Sequence, residues 1–200
     1  MTTRMFGAPV QRTEDPRLLA GRGAYLDDLG SGALAAAFVR SPHAHARIVD
    51  IDVSGALDVE GLVAIYTYED LPARLAAPLP VLIPHPALRQ PRTGHALAHT
   101  EVNHVGEAVV MVVARDRYLA EDAAEQVHVS YDVLPPVIGI PAAQQAQHLV
   151  HDDVPGNVAA TMLQEVGDAR AAISSAPHRV ELDLSVERSA STPLEGRGVY

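Results

Sequence analysis

The stretch that decides the fold is 108–133, AVVMVVARDRYLAEDAAEQVHVSYDV. Seven apolar residues, Ala108–Ala114, have the length and β-branched content of a strand buried on both faces. Asp116 then stands where a helix N-cap is wanted, and Leu119, Ala123 and Val127 fall on one helical stripe with Glu121, Asp122 and Glu125 elsewhere, which predicts a helix over 117–126. From Val127 to Val133 the period changes to two, Val127/Val129/Tyr131/Val133 against His128/Ser130/Asp132, as a strand with one wet face requires. Glu101–Val105 precedes the run across Gly106-Glu107, so a tight hairpin is expected there and the order is β-β-α-β.

Working toward the N-terminus, the same order repeats. Leu34–Arg40 and Arg47–Val53 read as strands joined at Ser41-Pro42-His43 in a hairpin, with Arg47/Val49/Ile51/Val53 on the apolar parity. Ser54 is expected to cap a short helix over 55–60 that stops at Gly61, and Leu62–Tyr66 is a third strand. Thr67 and Asp70 have capping-box spacing, but Pro72 leaves little room for a helix. Tyr68-Glu69-Asp70-Leu71-Pro72 echoes Tyr131-Asp132-Val133-Leu134-Pro135, a likeness of five residues and too short to establish a duplication. The fold class is α+β.

Flanking segments have other characters. Prolines 72, 78, 80, 84, 86 and 91 make a long connection, since none can donate a backbone hydrogen bond. Residues 1–30 form an arm with one short helix, capped by Asp15, primed by Pro16 and ended at Gly21. Residues 31–135 are the main domain, 136–156 a Pro/Gln/Ala-rich linker, and 157–200 an incomplete start of something further. Within the last segment Asp168 can cap a helix through Ser174, Val180/Leu182/Leu184/Val186 alternates as a strand, and Gly198-Val199-Tyr200 begins another.

Composition excludes several functions. A net charge of -10 repels nucleic-acid backbones and anionic membranes. The absence of cysteine removes thiolate nucleophiles and Cys-ligated zinc or iron–sulfur clusters from this chain. The opening MTTRMFGAPVQRTEDPR lacks an apolar signal core, and no run approaches the roughly 18 residues of a membrane span, so a cytoplasmic protein is expected.

The residue types that could carry chemistry have plainer roles. His43 and His45, the group His95, His99 and His104, and the pair His148 and His151 invite a metal, but none has a recognised ligand spacing, and loop or interface roles fit better. Gly21-Arg22-Gly23 lacks the context of a phosphate nest. Ser41, Ser130, Ser185 and Ser189 have no nucleophile elbow, and Asp27-Asp28 and Asp152-Asp153 are adjacent pairs whose side chains diverge. No catalytic, cofactor-binding or metal-ligating residue is assigned.

A resemblance supplies what the residues alone do not. Glu14-Asp15-Pro16-Arg17-Leu18-Leu19-Ala20-Gly21-Arg22-Gly23-Ala24-Tyr25-Leu26-Asp27-Asp28 and Phe38-Val39-Arg40-Ser41-Pro42-His43-Ala44-His45-Ala46-Arg47-Ile48 closely resemble the opening blocks of molybdenum hydroxylase large subunits of the xanthine dehydrogenase, aldehyde oxidase and carbon monoxide dehydrogenase type. Val105-Gly106-Glu107-Ala108-Val109, Asp116–Glu125, Val129–Pro135 and His151–Asn157 continue the likeness in order, although the family commonly has proline after the glutamate of the first of these. The resemblance implies an α/β hammerhead domain up to about residue 135 and, from about 157, the start of a molybdopterin-binding domain, with Pro193-Leu194-Glu195 similar to the family's Pro-x-Glu segment.

The implied activity is hydroxylation or dehydrogenation of CO, aldehydes, purines or N-heterocycles at a molybdenum–pterin cofactor. The implied partners are the remainder of the molybdopterin subunit and subunits carrying [2Fe-2S] and FAD, in a hetero-oligomer. The family's catalytic glutamate and cofactor loops lie beyond residue 200, so the isolated chain is expected to be inactive. The alternative is a stand-alone hammerhead module for binding or assembly without redox chemistry.

Overall fold

The computed structural model describes residues 7–29, 32–186, 192–193, 195–196 and 198–199. The chain divides into two compact units, Met1–Ala33 with Glu181–Tyr200, and Leu34–Val180.

In the first unit, helix α1 (Asp15–Leu19) starts at Asp15 and carries Pro16 in its first turn, where the missing N–H costs nothing. Its N-cap is Glu14 rather than the expected Asp15, and no side chain bonds there. The helix closes with the Arg22 amide on the Arg17 carbonyl and the Gly21 amide on that of Leu18, a pairing that needs the left-handed conformation of Gly21 (φ 66°). A 3-10 turn follows at Leu26–Leu29, where the Leu26 amide donates to Glu195 Oε1 at 2.6 Å.

The second unit holds six strands: β1 (Ala35–Arg40), β2 (Ala46–Asp52), β3 (Leu62–Tyr66), β4 (Glu101–Val102), β5 (Ala108–Ala114) and β6 (His128–Val133). They form two antiparallel three-stranded sheets, in the orders β1-β5-β3 and β4-β2-β6. Neither expected hairpin exists, because β1 and β2 lie in different sheets, and so do β4 and β5. Proximity in sequence loses to burial: β5 is apolar on both faces and belongs in the centre of a sheet, where β1 and β3 flank it. The two turns meet instead, the Ser41 amide donating to Glu107 O at 2.9 Å and the Gly106 amide to Ser41 O at 2.8 Å.

A register shift between Ile48 and Asp50 corrects the expected parity of β2. Val49 bulges out and is 66% exposed, while Ile48, Ile51 and Val53 pack on the core. The 3-10 turn Ser54–Asp58 replaces the expected helix, and Ser54 acts as donor rather than cap, its amide bonding Asp52 Oδ1 at 2.9 Å. Thr67 and Asp70 do form a capping box, over the 3-10 turn Tyr68–Asp70, with one helical turn α2 (Ala73–Ala76) after Pro72.

Helix α3 (Arg117–Glu125) is capped as expected, with the Leu119 amide on Asp116 Oδ1 at 3.0 Å, and buries Ala120 and Ala123. Gly61 permits its close approach: φ is +87°, and a Cβ there would stand 2.6 Å from Leu119 Cδ1. The core is built from small aliphatic residues, Ala46, Ala56, Ala98, Val102, Val109, Val110, Val112, Ala123 and Val127, as a chain without tryptophan and with two phenylalanines requires.

Residues 136–160 fold back on the proline-rich connection. Helix α4 (Ile140–Gln145) lies in this segment, Asn157 bonds the Val150 amide and the carbonyls of Ala143 and His148, and Leu88 bridges to Ala160. Helix α5 (Ala169–Ser175) has its expected Asp168 cap. The expected strand over 180–187 does not form within the described residues: Val180, Leu182, Leu184 and Val186 are 74–92% exposed and join no ladder. Alternation makes a strand only when a neighbour supplies backbone partners and a covering face. Gly198 and Val199 are irregular, and Tyr200 lies outside the described residues.

Candidate functional site

A polar cleft of about 520 Å³ opens where the end of the proline-rich connection, the β4 region and the turn 151–153 converge. Arg92, His95, His99, Glu101, Asn103, His104, Glu107, His151, Asp152 and Asp153 supply its charged and polar lining. Arg92 on one wall is ion-paired with Asp153 on the other. Glu107 is the most enclosed carboxylate, its side chain 12% exposed, and it accepts the Asn103 amide at 2.6 Å with His104 Nδ1 at 3.4 Å. Asn103 Oδ1 is buried without a hydrogen-bond donor.

Glu101 connects the cleft to the interior. Its Oε1 lies 2.5 Å from Nε2 of the buried His45, whose Nδ1 is 3.0 Å from Pro135 O. His45 therefore ties the start of β2 to β4 and to the exit of β6.

On the other flank Tyr68 lies edge-on to His95 and stacks on His99, with centroids 5.2 and 4.0 Å apart. The Tyr68 hydroxyl donates to Ala76 O at 3.0 Å, His95 Nδ1 reaches the same oxygen at 2.9 Å, and His99 Nε2 is 3.0 Å from Glu69 Oε1. Burial and the Arg92 guanidinium lower the His151 imidazole below its usual range, against the pull of Asp153, Glu101 and Glu107. Burial raises the Tyr131 phenol, opposed in part by Ser41.

The histidines singled out from the sequence are thus divided among separate tasks. His95, His99, His104 and His151 share the cleft, His148 is exposed away from it, and His43 packs edge-on against Tyr131. Among the described residues no group of three or more His, Asp or Glu side chains converges as a metal site. Ser41 is buried and locks its own turn through His43, Ser130 and Ser185 are exposed, and Ser189 lies outside the described residues. Gly21-Arg22-Gly23 spends two of its amides on the helix stop. Glu121 pairs with Arg117 on the outer face of α3, where Asp122 and Glu125 are also exposed. Asp152 and Asp153 both line the cleft, with Asp153 paired to Arg92, while Asp28 caps the Tyr25 amide. Glu101, Asn103 and Glu107 were missed, because they stand at strand ends and owe their convergence to a turn some fifty residues away.

Comparison with known proteins places this geometry. The chain is similar to the nicotine 6-hydroxylase large subunit of Paenarthrobacter nicotinovorans, 37% identical over 200 residues that cover 99% of this chain and 24% of that protein. It is also similar to the xanthine dehydrogenase molybdenum-binding subunit of Escherichia coli O157:H7, 33% identical over 82% of this chain and 22% of that one. The chain therefore spans about a quarter of the length of these relatives. Among solved structures, quinoline 2-oxidoreductase from Pseudomonas putida 86 superposes with a TM-score of 0.66 at 41% identity, over 76% of this chain and 19% of that one. Residues 20–135, which contain both sheets and α3, match the family described as aldehyde oxidase and xanthine dehydrogenase, a/b hammerhead domain. The interlaced six-stranded unit is that hammerhead, and the chain belongs to the aldehyde oxidase and xanthine dehydrogenase family.

Proposed function

We propose that this chain is the N-terminal portion, or a separately encoded piece, of the large subunit of a cytoplasmic molybdenum-dependent hydroxylase, and that it supplies scaffold and subunit contacts. One observation carries this reading: likeness to the nicotine 6-hydroxylase large subunit runs through 99% of this chain yet occupies 24% of that protein. In this reading residues 1–30 are an arm, 31–135 the hammerhead, 136–156 a linker and 157–200 the start of a molybdopterin-binding domain. The exposed alternation of Val180, Leu182, Leu184 and Val186 suits a strand completed by residues from that domain.

The polar cleft does not fit a molybdenum–pterin. Such a cofactor bears a phosphate and calls for cations and N–H donors, whereas Glu101, Glu107, Asp152 and Asp153 present acceptors and Arg92 is already paired. No chemical step is assigned to the cleft, and no residue of this chain is proposed as catalytic, cofactor-binding or metal-ligating. In the complete enzyme the molybdenum–pterin would be held by the remainder of the large subunit, with [2Fe-2S] and FAD on partner subunits.

The test is expression of the tagged chain together with its neighbouring reading frames, followed by native mass determination and elemental analysis. Molybdenum, iron and larger chains should co-purify with the tag. A stable, metal-free monomer with no larger companion would overturn the proposal in favour of a stand-alone assembly module.

A further inference from the structure

Each of the two three-stranded stretches gives its middle strand to the other. The first, Ala35–Tyr66, contributes β1, β2 and β3, and the second, Glu101–Val133, contributes β4, β5 and β6. β5 of the second lies between β1 and β3 of the first, and β2 of the first lies between β4 and β6 of the second. Among the described residues, every strand ladder therefore joins one half to the other, and none joins two strands of the same half. The five-residue echo does not mark this exchange, since Tyr68 follows β3 whereas Tyr131 lies inside β6.

We infer that the two halves are obligate binding partners, each unable to form its sheet alone, and that they hold together after the connection between them is cut. Without β5, β1 and β3 would face one another across a vacant strand position with their inner edges unpaired. Val110, Val112 and Ala114 would leave a core in which each is 0% exposed. The partner that fits this gap is an extended segment apolar on both faces, and Ala108–Ala114 is such a segment. Without β2, β4 and β6 would be separated in the same way.

The connection itself carries no ladder. It contains six prolines between 72 and 91, and at its tip Leu82 and Ile83 are 92% and 79% exposed. Leu79 and Gly94 close its base, the Leu79 amide donating to Gly94 O at 2.9 Å, so a cut at the tip leaves both sheets and the base intact.

The experiment inserts a specific protease site between Leu82 and Ile83 of the full 200-residue chain and cleaves it under native conditions. The cut halves should remain a 1:1 complex by native mass spectrometry and retain the far-ultraviolet strand signal. Their melting temperature should fall on dilution, while that of the uncut chain stays constant, because cutting turns one molecule into two. Separation into two folded halves, or loss of the strand signal at micromolar concentration, would overturn the inference.

A second measurement uses uncut chain carrying Val112→Asp, a change confined to the second half. Amide protection at Ala35–Arg40 and Leu62–Tyr66 in the first half should fall on the order of 100-fold or more, since among the described residues those strands pair with β5 alone. Retained protection there would show the first half standing alone and would end the proposal.

Discussion

Two alternating segments of this chain meet opposite fates. Val129 and Tyr131 of β6 pack against the core because β2 lies beside them, whereas Val180, Leu182, Leu184 and Val186 have the cleaner alternation and remain exposed. Pattern is common to both, and a neighbouring strand distinguishes them. Period-two hydrophobicity thus declares the capacity to pair, while pairing itself depends on a partner of matching length and face.

The sharpest way to break the comparison is to place the same charge in each region. Val112→Asp puts an unpaired carboxylate where exposure is 0%, and should cost about 4 kcal/mol or more, abolishing the cooperative thermal transition. Leu182→Asp, at 74% exposure, should shift stability by less than about 0.5 kcal/mol in the isolated chain. Equal effects at the two positions would mean that 180–186 is packed after all.

A smaller effect is expected where α3 approaches Gly61, at the entry to β3. Gly61→Ala forces a side chain into positive φ and against Leu119, and should cost about 2 kcal/mol in chemical denaturation. Smaller again is the contrast between two N-caps. Asp116→Ala should remove about 1 kcal/mol from global stability because α3 lies on the core. Asp168→Ala should fray α5 without moving the global transition, since no residue of that helix is buried.

The smallest expected effect concerns the cleft. The folded environment depresses His151, so the unfolded chain binds the proton more readily and stability should decline as pH falls below 6.5 toward the folded value. His151→Asn should flatten that acid-side slope slightly, an effect kept small by solvent screening of a half-buried group. A slope unchanged by the substitution would assign the acid sensitivity to other groups.

Much of the fold is legible in the sequence. The ranges of β1, β3 and β5, the Asp116 cap, the Thr67–Asp70 capping box and the Gly21 stop all depend on residues within one turn or one strand of each other. The hairpins are not legible because sequence proximity does not choose strand partners, and the parity of β2 is not because a bulge at Val49 has no composition signal of its own. The cleft was less legible still. Arg92 meets Asp153 and Glu101 meets His45 only after the sheets have interlaced, and nothing in either sequence neighbourhood marks the encounter.

By itself the sequence determined the ranges of β1, β3 and β5, the caps that start α3 and α5, the glycine that stops α1, the small-aliphatic character of the core and the absence of cysteine ligands. It also carried the resemblance to a molybdenum hydroxylase subunit, which the family match bears out. Tertiary structure alone decided which strands pair, which face of β2 is inward and which charges converge on the cleft. The reason is physical: caps, turns and periodicity are satisfied by neighbours along the chain, whereas a ladder is chosen by competition among all strands for the few central positions that bury both faces.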